Sequence, residues 1–191
     1  MSLLRWPKVA FGAFDGGEPK GVTFVPLTVE VQRRVRTWAP PRADIAAWAS
    51  TALGRKAAGR ELGVRVVGPT ESRRLNARYR GRDKPTNVLS FPAVELPAGP
   101  SKALAHRGPK AIFADRIIWP LGDLVICPHV LRAEAREQHK SLRAHWAHLV
   151  VHGALHLVGY DHEDPADAGR MERREVTVLR RLGFPNPYRS S

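Results

Sequence analysis

The sequence predicts an α+β fold, and three observations carry that prediction. About four short stretches read as strands, about five longer ones read as helices, and the two kinds are interspersed without an internal repeat. A length of 191 residues, 43% of them hydrophobic, suits one core and is short for two.

In chain order, residues 1–24 contain FDGGEPKG and little periodicity, and they read as a loosely ordered leader before a single domain over 25–191. Pro26 to Val31 (PLTVEV) alternates apolar and polar, the period of a half-buried strand. Asp44 to Ala57 predicts a helix with Ile45, Trp48, Ala49 and Leu53 on one side, and Glu61 to Val67 (ELGVRVV) a second strand. Pro69 opens a short helix, TESRRLNARYR, because its missing N–H costs nothing in a first turn. Asn87 to Val94 (NVLSFPAV) is a third strand, which Pro92 places at an edge or a bulge. Residues 95–120 hold several prolines and glycines and no steady period, which predicts an extended loop with short structure near Ile117. Leu121 to Cys127 (LGDLVIC) is the fourth strand. Pro128 starts the next helix, and Ser141 caps LRAHWAHLVVHGALHLV. Asp164, Pro165 and Gly183 are cap, first position and stop of the last helix, whose Ala168, Met171, Val178, Leu179 and Leu182 form an apolar stripe.

The charge is lopsided: 31 Lys+Arg against 18 Asp+Glu give +13 and a pI near 11.0. That excess favours a polyanionic partner, either nucleic acid or an anionic membrane surface. The one cysteine, Cys127, excludes an intramolecular disulfide and a Cys-rich zinc module, and suits a reducing cytosol. No apolar run approaches the ~18–20 residues that span a bilayer. A soluble, basic, cytoplasmic protein is expected.

The chemistry concentrates in HGALHLVGYDH. On a helix His152 and His156 are i and i+4 and can bridge a zinc ion at ~2.1 Å from each imidazole. His148 extends the stripe, but eight residues of helix, ~12 Å, keep it from completing a set with His156. The third ligand must come from a returning loop: Gly159 ends the helix and His162 folds back. Three neutral nitrogens with a fourth position open is a catalytic pattern, able to make hydroxide available near neutral pH. A zincin peptidase carries its catalytic glutamate next to the first histidine, where this chain has Gly153. A peptidase reading therefore lacks its proton shuttle. Residues 73–84, RRLNARYRGRDK, carry six basic side chains (Arg73, Arg74, Arg78, Arg80, Arg82 and Lys84) around Tyr79, a combination suited to single-stranded nucleic acid.

Together ESRRLNARYRGRDKPTNVLSFP, LGDLVICP and HWAHLVVHGALHLVGYDH resemble the YbeY family of rRNA maturation factors, over most of the chain from about Leu27 to Tyr188. The resemblance implies a small mixed sheet with helices and one Zn2+ ion. It implies a single-strand-specific endoribonuclease acting in 3′-end maturation of small-subunit ribosomal RNA and in ribosome quality control. The family's metal histidines fall on His152, His156 and His162, and its essential arginine on Arg80. Gly153 belongs to the family pattern. The leader and the length of the 95–120 loop depart from it, and that loop's Lys102, His106, Arg107, Lys110 and Arg116 could extend an RNA surface. Two routes stay open, attack by zinc hydroxide or by the RNA 2′-OH, with Asp161, Glu163 and His148 as candidate bases. An rRNA-binding assembly factor with a structural zinc, or a zinc peptidase, are the rival readings.

Overall fold

Alternation along Arg60–Val66 turns Leu62, Val64 and Val66 to one side, where all three are buried, and that side is the floor of the main core. The computed structural model describes residues 26–93, 112–113, 116–161 and 164–189. Its elements are β1 (Thr28–Arg33), α1 (Arg42–Leu53), β2 (Arg60–Val66), α2 (Pro69–Arg80), β3 (Val88–Pro92), β4 (Ile112–Phe113), β5 (Arg116–Ile117), β6 (Trp119–Ile126), α3 (Pro128–Glu137), α4 (Leu142–Leu157) and α5 (Pro165–Arg181). The fold is α+β.

Four strands form one mixed sheet in the order β1-β2-β6-β3. β1, β2 and β6 are parallel, with Arg33, Val66 and Ile126 in register at their carboxyl ends. β3 runs antiparallel to β6 at the edge, and Pro92 closes it, where a missing ladder donor is tolerated.

One helix dominates the packing. α4 is apolar around most of its circumference, with Trp146, Val150, Val151 and Ala154 fully buried, as a helix enclosed by other elements requires. It lies on β3 and β6 and is flanked by α1, α3 and α5. A smaller cluster of Val67, Leu89, Val125 and Cys127 fills the opposite face beneath Leu75 of α2. The caps form as the sequence predicts. Ser141 Oγ accepts from Ala144 N at 3.2 Å, and Asp164 Oδ1 accepts from Ala166 N at 2.8 Å.

The differences are local. The helix expected over Asp44–Ala57 is α1 followed by a 3-10 turn, Gly54–Ala57, because Gly54 takes φ 57°. The fourth strand starts at Trp119 rather than Leu121, since pairing of Trp119 with Arg60 extends it. Inside the segment expected as a loop, β4 and β5 pair as a two-stranded ribbon. Residues 1–24 and most of 95–120, including Lys102, His106, Arg107 and Lys110, lie outside the described residues. No helix among the described residues is long and apolar enough to cross a membrane.

Candidate functional site

Histidines at 145, 148, 152 and 156 project from one side of α4 because their spacings are three, four and four residues. Neighbouring ring centroids are 6.3, 6.2 and 4.6 Å apart, closest for His152 and His156. The helix then stops as its sequence requires. Gly159 takes φ 89°, its N–H donates to the His156 carbonyl at 3.0 Å, and Tyr160 N–H donates to the Leu155 carbonyl at 3.1 Å, which is the Schellman arrangement. The chain therefore turns back just past His156. His162 and Glu163 lie outside the described residues.

Glu175 of α5 faces this histidine row, and sequence reading missed it. Its side chain is 0% exposed. His148 Nε2–H donates to Oε2 at 2.9 Å, His152 Nδ1–H donates to Oε1 at 2.8 Å, and the Tyr188 hydroxyl also donates to Oε2. Burial alone raises this carboxyl, but the bonds from the two imidazoles outweigh it and hold it at about 2. Burial, and then Glu175 itself, push the Tyr188 phenol up. An ionised carboxylate can only accept, so His152 keeps its proton on Nδ1 and presents Nε2 as the nitrogen for a metal. A carboxylate behind a histidine is the support that metal-binding imidazoles ordinarily have.

Among the described residues, His148, His152 and Glu175 are the group whose ligand atoms converge, within 4.8 Å of one another, and they could hold a metal ion. Their N···O distances are those of hydrogen bonds. Bridging them with a metal would strip both rings of the protons that satisfy a buried carboxylate. On the side away from Glu175, the His152 ring lies beside the His156 ring, with centroids 4.6 Å apart.

Gly153 has a packing reason. A Cβ there would lie 2.7 Å from Leu124 Cδ2 and 3.2 Å from Ser90 Oγ, so this side of α4 presses directly on β6 and β3. A glutamate at 153 would be driven into the sheet. Gly153→Ala is expected to cost about 1–3 kcal/mol through overpacking, although alanine is the better helix former. A thermal midpoint equal to that of the parent chain would show that Leu124 has room to yield.

A second, partly buried network ties the residue just before β3 to the same helix. Asn87 Nδ2 donates to both oxygens of Glu134, at 3.1 and 3.0 Å, and His145 Nε2–H donates to Glu134 Oε2 at 2.9 Å. Burial pushes the Glu134 carboxyl up, but those partners outweigh it and hold it below the usual carboxylate range. Nδ1 of His145 and of His148 is buried with no partner among the described residues.

The six basic residues predicted for nucleic-acid contact are all exposed on α2 and the turn that follows. That turn is braced: Ser72 Oγ donates to the Thr86 carbonyl at 2.7 Å, and Asn76 Nδ2 donates to the Lys84 carbonyl at 2.7 Å. Arg73 differs from the rest, since its Nε and Nη2 both donate to Asp83 at 2.6 Å. Arg78 lies over the Tyr79 ring at 5.4 Å, and Tyr79 packs edge-on to Phe91 at 5.0 Å. Arg74, Arg80, Arg82 and Lys84 have no carboxylate partner among the described residues.

A family model described as "Endoribonuclease YbeY" matches residues 30–183 of this chain. An "Endoribonuclease YbeY" of Halorhodospira halophila is 51% identical over 151 residues, covering 78% of this chain and 88% of that protein. A solution structure of a Thermotoga maritima protein is similar at 19% identity and a TM-score of 0.47, covering 85% of this chain and 99% of that one.

Proposed function

Because the chain belongs to the YbeY endoribonuclease family, we propose that it is a zinc-dependent hydrolase of single-stranded RNA in the cytoplasm. Its task on this reading is 3′-end maturation of small-subunit ribosomal RNA and quality control of ribosomes. The observation that carries the reading is the buried Glu175 carboxylate behind His152, which fixes the Nδ1–H tautomer one helical turn from His156. His152, His156 and His162 hold the metal, one zinc ion. When bound, zinc supplies Lewis acidity toward a phosphodiester oxygen.

The protein's own groups do the rest. Arg80 donates to phosphate oxygens and stabilises charge that develops there. The braced turn after α2 keeps Arg80, Arg82 and Lys84 on one exposed ridge. Arg74 and Arg78 extend the ridge along the helix, while Arg73 is partly neutralised by Asp83. The net charge of +13 draws the RNA or the ribosomal small subunit toward that surface. Peptide hydrolysis is disfavoured, since the glutamate it needs has no space at 153.

The deciding experiment incubates metal-loaded protein with single-stranded ribosomal RNA, beside His156→Ala and a chelator control. Cleavage is expected from the loaded protein alone, and His156→Ala is expected to lose its metal. Cleavage that survives both controls would belong to a contaminating nuclease and end the reading. Metal and RNA binding with intact RNA would make the chain an assembly factor.

A further inference from the structure

Two shallow clefts share one wall, Trp38, at the carboxyl end of the parallel strands. One, of about 610 Å³, is lined by the turn after β1 from Arg33 to Trp38. The other, of about 400 Å³, opens across Trp38 against Arg132, Arg136 and Lys140, with Leu142 at the start of α4. Trp38 is 45% exposed, whereas Trp48 and Trp146 are buried. No acidic residue lines either cleft. Among the described residues no carboxylate pairs with Arg34, Arg36, Arg132 or Arg136. The acids nearby are committed elsewhere: Asp44 to Arg143, and Glu134 to Asn87 and His145. Exposed Glu137 on α3 is the exception.

The walls are also held. Arg33 Nη2 donates to the Pro40 carbonyl at 3.0 Å, Arg132 Nη2 donates to Thr37 Oγ1 at 3.4 Å, and Lys140 Nζ donates to the Pro187 carbonyl at 2.6 Å. These bonds fix the turn against α3 and leave Trp38 standing between two sets of cations.

We infer that this surface is a second docking site for single-stranded RNA, with phosphates on Arg34, Arg36 and Arg136 and a base stacked on Trp38. A single aromatic face between cations matches a strand in which bases and phosphates alternate. A duplex keeps its bases stacked inside, and a flat anionic bilayer does not enter paired concave clefts. The site differs from the ridge at Arg80 in residues and place. Leu142 lies ten residues before His152 on α4, about 15 Å along the axis. At the 3.4 Å per nucleotide of a stacked strand, that gap is roughly four to five nucleotides. The surface therefore holds RNA flanking the cleavage point. The inference takes its ligand from the RNA reading above but not its cleavage chemistry.

The test uses the full chain, chelator-treated, and a labelled single-stranded RNA long enough to span both sites. Duplex RNA of the same length and phosphatidylcholine–phosphatidylserine vesicles are the comparison arms. Replacing Arg34, Arg36 and Arg136 together by alanine is expected to weaken binding at least tenfold and to flatten the salt dependence by about two log units per log unit of salt. Trp38→Ala is expected to weaken binding roughly tenfold, and Trp38→Phe to restore most of it. Metal-loaded variants should still cleave an RNA too short to reach Trp38. Unaltered affinity and salt slope in these variants, or tighter binding to the vesicles than to the strand, would overturn the second site and leave the ribonuclease reading standing. Normal binding through Trp38 by a loaded protein that never cleaves would overturn only the ribonuclease reading.

Discussion

Arg80→Ala is expected to keep its metal and its fold while losing RNA cleavage by about 10²–10³-fold, the usual cost of removing one donor to developing charge. The site explains the separation. Arg80 is the last residue of α2, exposed, and followed by Gly81 in the left-handed conformation at φ 66°. The turn beyond it is pinned through Ser72 and Asn76, so loss of the guanidinium disturbs no packing. Exposed substitutions of this kind usually stay within about 0.5 kcal/mol in stability. Arg73, also on α2, already gives two hydrogen bonds to Asp83. Arg73→Ala should therefore cost cleavage far less than Arg80→Ala. Arg80→Lys keeps the charge but loses the two-pronged geometry, so it should restore binding better than rate. Metal content, a melting curve and single-turnover cleavage read these effects separately. Normal processing by Arg80→Ala would remove Arg80 from the mechanism.

Much of this was legible from local chemistry. Strand alternation, proline at helix starts and glycine at helix stops are decided within a few residues, and the elements they mark are in place. The HGALHLVGYDH spacing likewise announces a helix that carries two histidines and then turns at Gly159. What stayed hidden depends on contacts distant in sequence. Glu175 sits in ERREV and looks like one more surface charge, yet it occupies the stripe of Met171, Val178 and Leu179. That position was a usable signal: an acid on an apolar stripe must find donors, and here α4 supplies them. Asn87 and Glu134, 47 residues apart, offered no such clue. In the sequence Gly153 shows only the absence of a base, and its packing role emerges only with Leu124 and Ser90 beneath it. The start of β6 was missed because pairing with β2, rather than propensity, sets it.

Glu175→Gln is expected to lower zinc affinity by about 10–100-fold, the range for losing the support behind a metal-binding histidine. Glutamine fills nearly the same volume, but it has one accepting oxygen where the carboxylate has two, and three donors converge there. If its amide nitrogen faces His152, that ring must accept at Nδ1 and carry its proton on Nε2, the nitrogen assigned to the metal. Nitrogen NMR of the His152 ring reads that tautomer directly. Glu175→Leu goes further and leaves the His148 and His152 N–H groups and the Tyr188 hydroxyl without their acceptor, which should cost about 1–3 kcal/mol for each group left unpaired. His148 separates this support from direct ligation by Glu175. If His148, His152 and Glu175 themselves bound the ion, His148→Gln would lose it and His156→Gln would keep it. With Glu175 acting through His152, His148→Gln should keep most of its zinc while His156→Gln loses it. Chelator competition on the two variants decides between them, and wild-type affinity in Glu175→Gln would show that the tautomer of His152 needs no carboxylate to hold it.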